Sequence, residues 1–286
     1  MTGPDRRPVA AGSPGSGPLG PPGGGPSVLL CAGMGDRAAT WDPLAPLLAA
    51  AGFRVARLGR EGRPDVGRVP TLAGEVARIG ASVAVLGRPV LVAHSAAALP
   101  AEAYARLRPG RLAGLVLVDP SVVESVAWGR LSRWAGRPVV SAGPVLAGFL
   151  DRSGLAGRLG PWAWTRAVRR MSVRPPDPAL AAWYGSGAVL ARVLVEWSTY
   201  PAMAAELVAV RAATAPPVLP VRVLTALGDV DRPVARAAWR RGHARLAEGF
   251  PAGRQEVFRD ARHLLHRDHP EVVAATVAVL DRDSGL

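Results

Sequence analysis

The chain has 286 residues, 49% hydrophobic and 20% charged, which is enough apolar material for one large domain and argues against bulk disorder. A single cysteine, Cys31, excludes an internal disulfide and a multi-cysteine zinc site, and no apolar run reaches the roughly 18 residues of a spanning helix. The formal charge is +13 and all 35 basic side chains are arginine; read as a scattered solubilising surface, this demands no polyanionic partner.

Residues 1–26 are mostly Gly, Pro, Ala and Ser without apolar periodicity, which predicts a flexible tail. No continuous apolar stretch follows Arg6 and Arg7, so the tail does not read as a signal peptide, and cytoplasmic residence is the expectation. Order is expected from Ser27, where a short apolar strand over 27–31 ends in the turn Gly33-Met34-Gly35. Trp41, Leu44, Leu47 and Leu48 then recur at helical spacing, and 53–58 reads as a second strand. A helix over 71–86 carries Leu72, Val76, Ile79 and Val83 on one side.

Residues 89–93 and 115–119 are wholly apolar up to their last positions, as strands covered on both faces should be, with an Ala-rich helix over 96–107 between them. Strands at 221–225 and 255–258 follow, each leading to a helix, at 232–248 and 270–281. This alternation predicts an α/β fold: a doubly wound, mostly parallel sheet of about six strands. Residues 121–215 interrupt the rhythm with Trp- and Arg-rich helical stretches broken by prolines, and are read as a helical cap inserted into a core of 27–120 and 216–286. On a first cap helix, Ala127, Trp128, Leu131 and Trp134 oppose Arg130, Arg133 and Arg137; Pro161-Trp-Ala-Trp164 with Arg166, Arg169 and Arg170 looks similar. Such helices read as a lid with an apolar inner face, or as an interfacial or anion-facing surface. No nucleic-acid recognition module is apparent.

Open parallel sheets bind ligands beyond the carboxyl ends of their strands. There stand His94 and Ser95 after the third strand, Asp119 after the fourth, Asp229 and Asp231 after the fifth, and His263 after the sixth. A Ser, an Asp and a His in that chain order, with Ala93-His-Ser-Ala-Ala97 on a strand-to-helix turn, resemble the α/β-hydrolase superfamily and its nucleophile elbow. Alanine replaces both elbow glycines, meeting the need for small side chains around a strained turn. The resemblance covers roughly 27–120 and 216–282, and it implies a sheet beginning at the family's third strand.

What the resemblance implies is a serine hydrolase acting on a small-molecule ester or similar acyl substrate, with no metal or organic cofactor. Ser95 would be the nucleophile and His263 its base. Gly228-x-x-Asp231 matches the family's spacing and assigns the acid to Asp231, with Asp229 the competitor and Asp119 the remaining candidate. The backbone N–H groups of Met34 and Ala96 would form the oxyanion hole. Serine rather than aspartate at position 95 argues against dehalogenase and epoxide-hydrolase chemistry. A hydroxynitrile-lyase-like reaction using the same residues as a base is one alternative, and a catalytically silent binder on the same fold is another. His94 is expected beside the pocket, His266 and His269 facing solvent or capping the last helix, and His243 solvated.

Overall fold

The computed structural model describes residues 25–60, 69–122 and 129–283, with only the backbone described over 129–138. Almost all of the expected tail, and the side chains of the first cap helix from Ala127 to Arg137, therefore lie outside the described residues.

Six parallel strands form one sheet: β1 (Ser27–Cys31), β2 (Arg54–Leu58), β3 (Val90–His94), β4 (Gly114–Val118), β5 (Pro220–Ala226) and β6 (Ala252–Phe258), in the order β2-β1-β3-β4-β5-β6. Every residue of β1, β3 and β4 is buried, because helices cover both faces. The pleat sends alternate side chains to opposite layers. Val28, Leu30, Val90, Val92, Val116 and Val118 pack with Trp41, Leu44 and Leu48 and with Val273, Val277 and Leu280 of the last helix. Leu29, Leu91, Ala93, Leu115, Leu117 and Val223 pack instead with Ile79, Val83, Ala101 and Leu246.

The helices are α1 (Ala45–Ala50), α2 (Leu72–Leu86), α3 (Ala98–Leu107), α4 (Gly129–Arg152), α5 (Leu155–Met171), α6 (Pro178–Trp183), α7 (Gly187–Ala213), α8 (Pro233–Glu248), α9 (Leu265–Asp268) and α10 (Pro270–Asp283). Leaving β1, the chain goes to β2 on one side and then crosses to β3 on the other, so the strand order reverses between β1 and β3. A crevice opens at such a reversal, and the 33–36 turn and Ser95 flank it.

The helices α4–α7 enter between β4 and β5. Pro161 lies within α5 and Pro201 within α7, so these prolines do not break helices as the sequence suggested. The inserted helices are sewn to the carboxyl-end loops. Leu264 N–H donates to the Met171 carbonyl at 2.9 Å, and Ser172 Oγ and Val173 N–H both donate to the Asp268 carboxylate. The α7 side chains Met203, Ala204 and Leu207 pack on Leu72, Leu99 and Ala103. No helix among the described residues is long and apolar enough to cross a membrane.

Candidate active site

Strand β3 delivers the chain to Ser95 and turns it at once into a 3-10 turn (Ser95–Ala97) leading to α3. Ser95 has φ +54°, in the left-handed region that L-residues enter at a cost of order 1–3 kcal/mol. Buried Ala93, Ala96 and Ala97 leave room for the bend, and the Ser95 carbonyl accepts from Ser121 N–H at 3.2 Å. Asp119, just past β4, is the second non-glycine residue at positive φ, +40°. The non-glycine residues at positive φ among the described residues thus fall at the ends of two adjacent strands, each a candidate site residue.

His263, on the loop after β6, joins them. Its Nδ1–H donates to Asp119 Oδ2 at 2.6 Å, and its Nε2 lies 3.1 Å from Ser95 Oγ, placed to accept the hydroxyl proton. Asp119 is almost wholly buried, and its other oxygen accepts from Ala226 N–H and Trp239 Nε1–H, both at 3.0 Å. Three N–H donors complement a carboxylate and fix its direction. Burial opposes a charge on His263, but the hydrogen bond and charge of Asp119, with smaller contributions from Asp229 and Asp36, outweigh it and raise the imidazole pKa.

Position 231, the acid expected from sequence, is elsewhere. Asp231 is about three-quarters exposed and pairs with Arg170 at 2.7 Å on the outer surface. Asp229 is nearer, but its Oδ2 accepts from the His263 backbone N–H at 3.3 Å and not from the ring; burial raises its pKa despite the neighbouring imidazole. The glycine of Gly228-x-x-Asp231 serves close packing instead: a Cβ there would come within 2.4 Å of the Asp260 carbonyl, so the loop after β5 can press on the His263 loop. Asp119 satisfies the order Ser, acid, His as well as Asp231 does. The signal that separates them is adjacency: Asp119 ends the strand paired directly with β3.

A row of tilted aromatic rings lies behind His263. The His94 ring is 4.7 Å from His263 and 4.4 Å from His266, which in turn is 4.4 Å from Trp41. His94 Nε2–H donates to the His263 carbonyl at 3.1 Å, placing His94 against the site as expected. His266, expected to face solvent or cap the last helix, is fully buried, and burial depresses its pKa to about 3. His243, also expected to be solvated, is fully buried between Thr225 Oγ1 at 2.9 Å and the Pro120 carbonyl at 2.7 Å, bracing the segment that follows Asp119. The arginine neighbours of His243 suggest an exposed face, but its own side of α8 meets β5. His269 does sit at the surface, 3.4 Å from Glu271.

The turn after β1 lies against the serine: a Cβ built on Gly33 would stand 3.4 Å from Ser95 Cβ and 3.0 Å from His94 Nδ1. Met34 follows in this turn, and Ala96 follows Ser95. Cys31 is no rival nucleophile, since burial pushes its thiol pKa up to about 12. The described residues contain no group of three or more His, Cys, Asp or Glu disposed to hold a metal ion. On the insertion, a cavity of about 410 Å³ is lined by Trp162, Thr165, Arg166, Arg169 and Arg170 of α5.

Comparisons with known proteins agree with this fold. Residues 28–276 match the model of a family described as the alpha/beta hydrolase family. Among solved structures, a thioesterase domain from the curacin biosynthetic pathway superposes with a TM-score of 0.62 at 17% identity, covering 91% of this chain and 93% of its own. A loop variant of a haloalkane dehalogenase from Bradyrhizobium elkanii gives 0.60 at 21% identity, covering 94% and 93%. An enol-lactonase from Burkholderia xenovorans gives 0.58 at 16% identity, covering 92% and 94%. No curated protein sequence matches the chain. At such identities the structural likeness speaks for the fold alone.

Proposed function

The chain belongs to the alpha/beta hydrolase family, and from that premise we propose that it is a serine hydrolase cleaving an ester or similar acyl substrate through Ser95, His263 and Asp119. The observation that carries this reading is the single imidazole bridging the Ser95 hydroxyl and a buried carboxylate, at 3.1 and 2.6 Å. A serine hydroxyl is a weak nucleophile at neutral pH and needs a base within hydrogen-bond reach.

In this account His263 Nε2 takes the Ser95 proton as Oγ bonds to the acyl carbon. The carbonyl π electrons move to oxygen, and the resulting oxyanion is held by the Met34 and Ala96 N–H groups. Collapse breaks the bond to the leaving group, which receives the proton from His263 and departs, leaving an acyl ester on Ser95. Water, deprotonated by the same imidazole, then attacks that ester and regenerates the serine. Asp119 holds the ring in the required tautomer and stabilises the imidazolium formed in each half-reaction. The hydroxyl at 95 favours acyl transfer over dehalogenation: displacing a halide with serine would leave an ether that water does not readily cleave, whereas an acyl-serine turns over.

The inserted helices act here as a cap over the crevice, excluding bulk water from the charged intermediate. p-Nitrophenyl esters of graded acyl length test the proposal. Wild-type protein should release nitrophenol with a preferred chain length, and Ser95→Ala should bring the rate down to background. Hydrolysis by Ser95→Ala at the wild-type rate would refute it.

A further inference from the structure

The turn proposed to donate to the oxyanion is held by residues that the reaction itself does not use. Every peptide around Met34 is clamped. The Gly33 carbonyl accepts from Arg60 Nε and from Asp36 N–H, each at 3.3 Å. The Arg60 N–H donates to the Asp36 carbonyl at 2.9 Å. The Gly35 N–H donates to Glu196 Oε2 at 2.7 Å, and its carbonyl accepts from Tyr184 Oη at 3.3 Å. Glu196 comes from α7 and Tyr184 from the turn between α6 and α7, 161 and 149 residues away in sequence. Gly35 has φ +67°, and Val193 Cγ2 stands 2.5 Å from where its Cβ would lie.

This geometry selects one donor. In a planar trans peptide the N–H points opposite the preceding C=O. Arg60 draws the Gly33 carbonyl to itself and so turns the Met34 N–H away from the guanidinium. The Gly35 N–H is already committed to Glu196 and is not available to substrate. A carbonyl that accepts from a cation also polarises its own peptide and strengthens the N–H as a donor.

The clamp is built from buried charge. Arg60, Glu75 and Glu196 are each at most 6% exposed; Arg60 Nη1 is 2.9 Å from Glu75 and 3.9 Å from Glu196, and the Arg60 carbonyl accepts from Arg192 of α7. Buried ion pairs often stabilise a fold no better than apolar packing of the same volume. Docking α7 alone would not require them, whereas holding two peptide planes in fixed directions does.

Resting on the serine hydrolase reading, we propose that Glu196 and Arg60 are positioning residues for the oxyanion hole, so that α7 completes the catalytic geometry through the Gly35 peptide without touching substrate. The charged acceptor at 196 is the part that varies most cleanly. Removing an oxyanion donor outright costs about 10²–10³ in kcat; loosening one should cost less, roughly 10–100-fold for Glu196→Leu. Glu196→Gln keeps an oxygen for the Gly35 N–H but loses its charge, so its loss should be several-fold. Tyr184→Phe should give a similar, smaller loss.

The test measures kcat and KM on one p-nitrophenyl ester for all three variants, together with affinity for a trifluoromethyl ketone, whose adduct with Ser95 carries a real oxyanion. The expected result is kcat falling in the order wild type, Gln, Leu, with KM within about twofold, ketone affinity falling in parallel, and the acid limb of the pH profile unmoved. Should Glu196→Leu fail to fold, Glu196→Gln and Tyr184→Phe carry the same comparison. Unchanged kcat and ketone affinity in the folded variants would overturn the proposal, as would a loss confined to KM. Absence of Ser95-dependent turnover in wild-type protein would instead refute the hydrolase reading.

Discussion

The imidazole of His263 donates from Nδ1 to Oδ2 of Asp119 across 2.6 Å, joining residues 144 positions apart in sequence. The carboxylate reaches the ring from the end of β4, the strand beside the one that carries Ser95, and not from the loop after β5. Asp119 also sits at φ +40°, so the backbone is bent to aim this side chain.

The assignment predicts an unequal response to two isosteric changes. Asp119→Asn should lower kcat on an activated ester by about 10⁴, because an amide stabilises the wrong imidazole tautomer and no developing positive charge. Asp231→Asn, which removes only an exposed partner of Arg170, should leave kcat within about threefold. A loss of the first magnitude at Asp231 would return the acid to that loop.

The pH profile follows from the sign of the His263 shift. The ring must be neutral to act as base, and its pKa is raised, so kcat/KM should fall with decreasing pH through a value above the ordinary 6.5. Asp229 contributes to that rise without holding the ring. Asp229→Asn should therefore move the acid limb to lower pH while turnover persists. An upward move would contradict the electrostatics described.

Burial of His266 predicts acid sensitivity of the fold. Its pKa is depressed to about 3, so between there and roughly 6.5 the unfolded chain binds a proton at this site that the folded chain does not. Stability is unaffected by this group above the unfolded value and is lost as pH falls below it, by up to about 1.4 kcal/mol per pH unit. His94, also depressed by burial, acts in the same direction, whereas His263 with its raised pKa acts against them. Urea unfolding at pH 7 and pH 5 should show a smaller acid loss for His266→Asn than for wild type; equal losses would refute the linkage.

Gly35→Ala combines positive-φ strain with contact on Val193. It should destabilise the protein by about 1–3 kcal/mol. The same change made in a Val193→Ala background should cost less, because only the backbone term remains. Urea midpoints of the four proteins give the coupling, and strict additivity would place the side-chain contact elsewhere.

The sheet was legible because wholly apolar strands such as 89–93 and 115–119 have few other uses, and the candidates Ser95 and His263 because one directly follows a strand and the other stands on the loop after the last strand. Asp119 was harder to rank, since three aspartates satisfy the same chain order and only the pairing of β3 with β4 separates them. Arg60 and Glu196 carry no local signal: one lies in a Gly-rich turn and the other in a helix, and their partners are 27 and 161 residues distant. His243 misled because its helix is rich in arginine, and local charge says which residues reach solvent on average and not which side of a helix faces the sheet.

The proposed activity rests on the hydroxyl at position 95 acting as a nucleophile activated by His263. Labelling folded protein with a fluorophosphonate and mapping the modified peptide tests it most directly. One adduct is expected, on Ser95, absent in Ser95→Ala and slowed by several orders of magnitude in His263→Ala. Folded wild-type protein that takes up no label, or that is labelled at the same rate after Ser95→Ala, would contradict it.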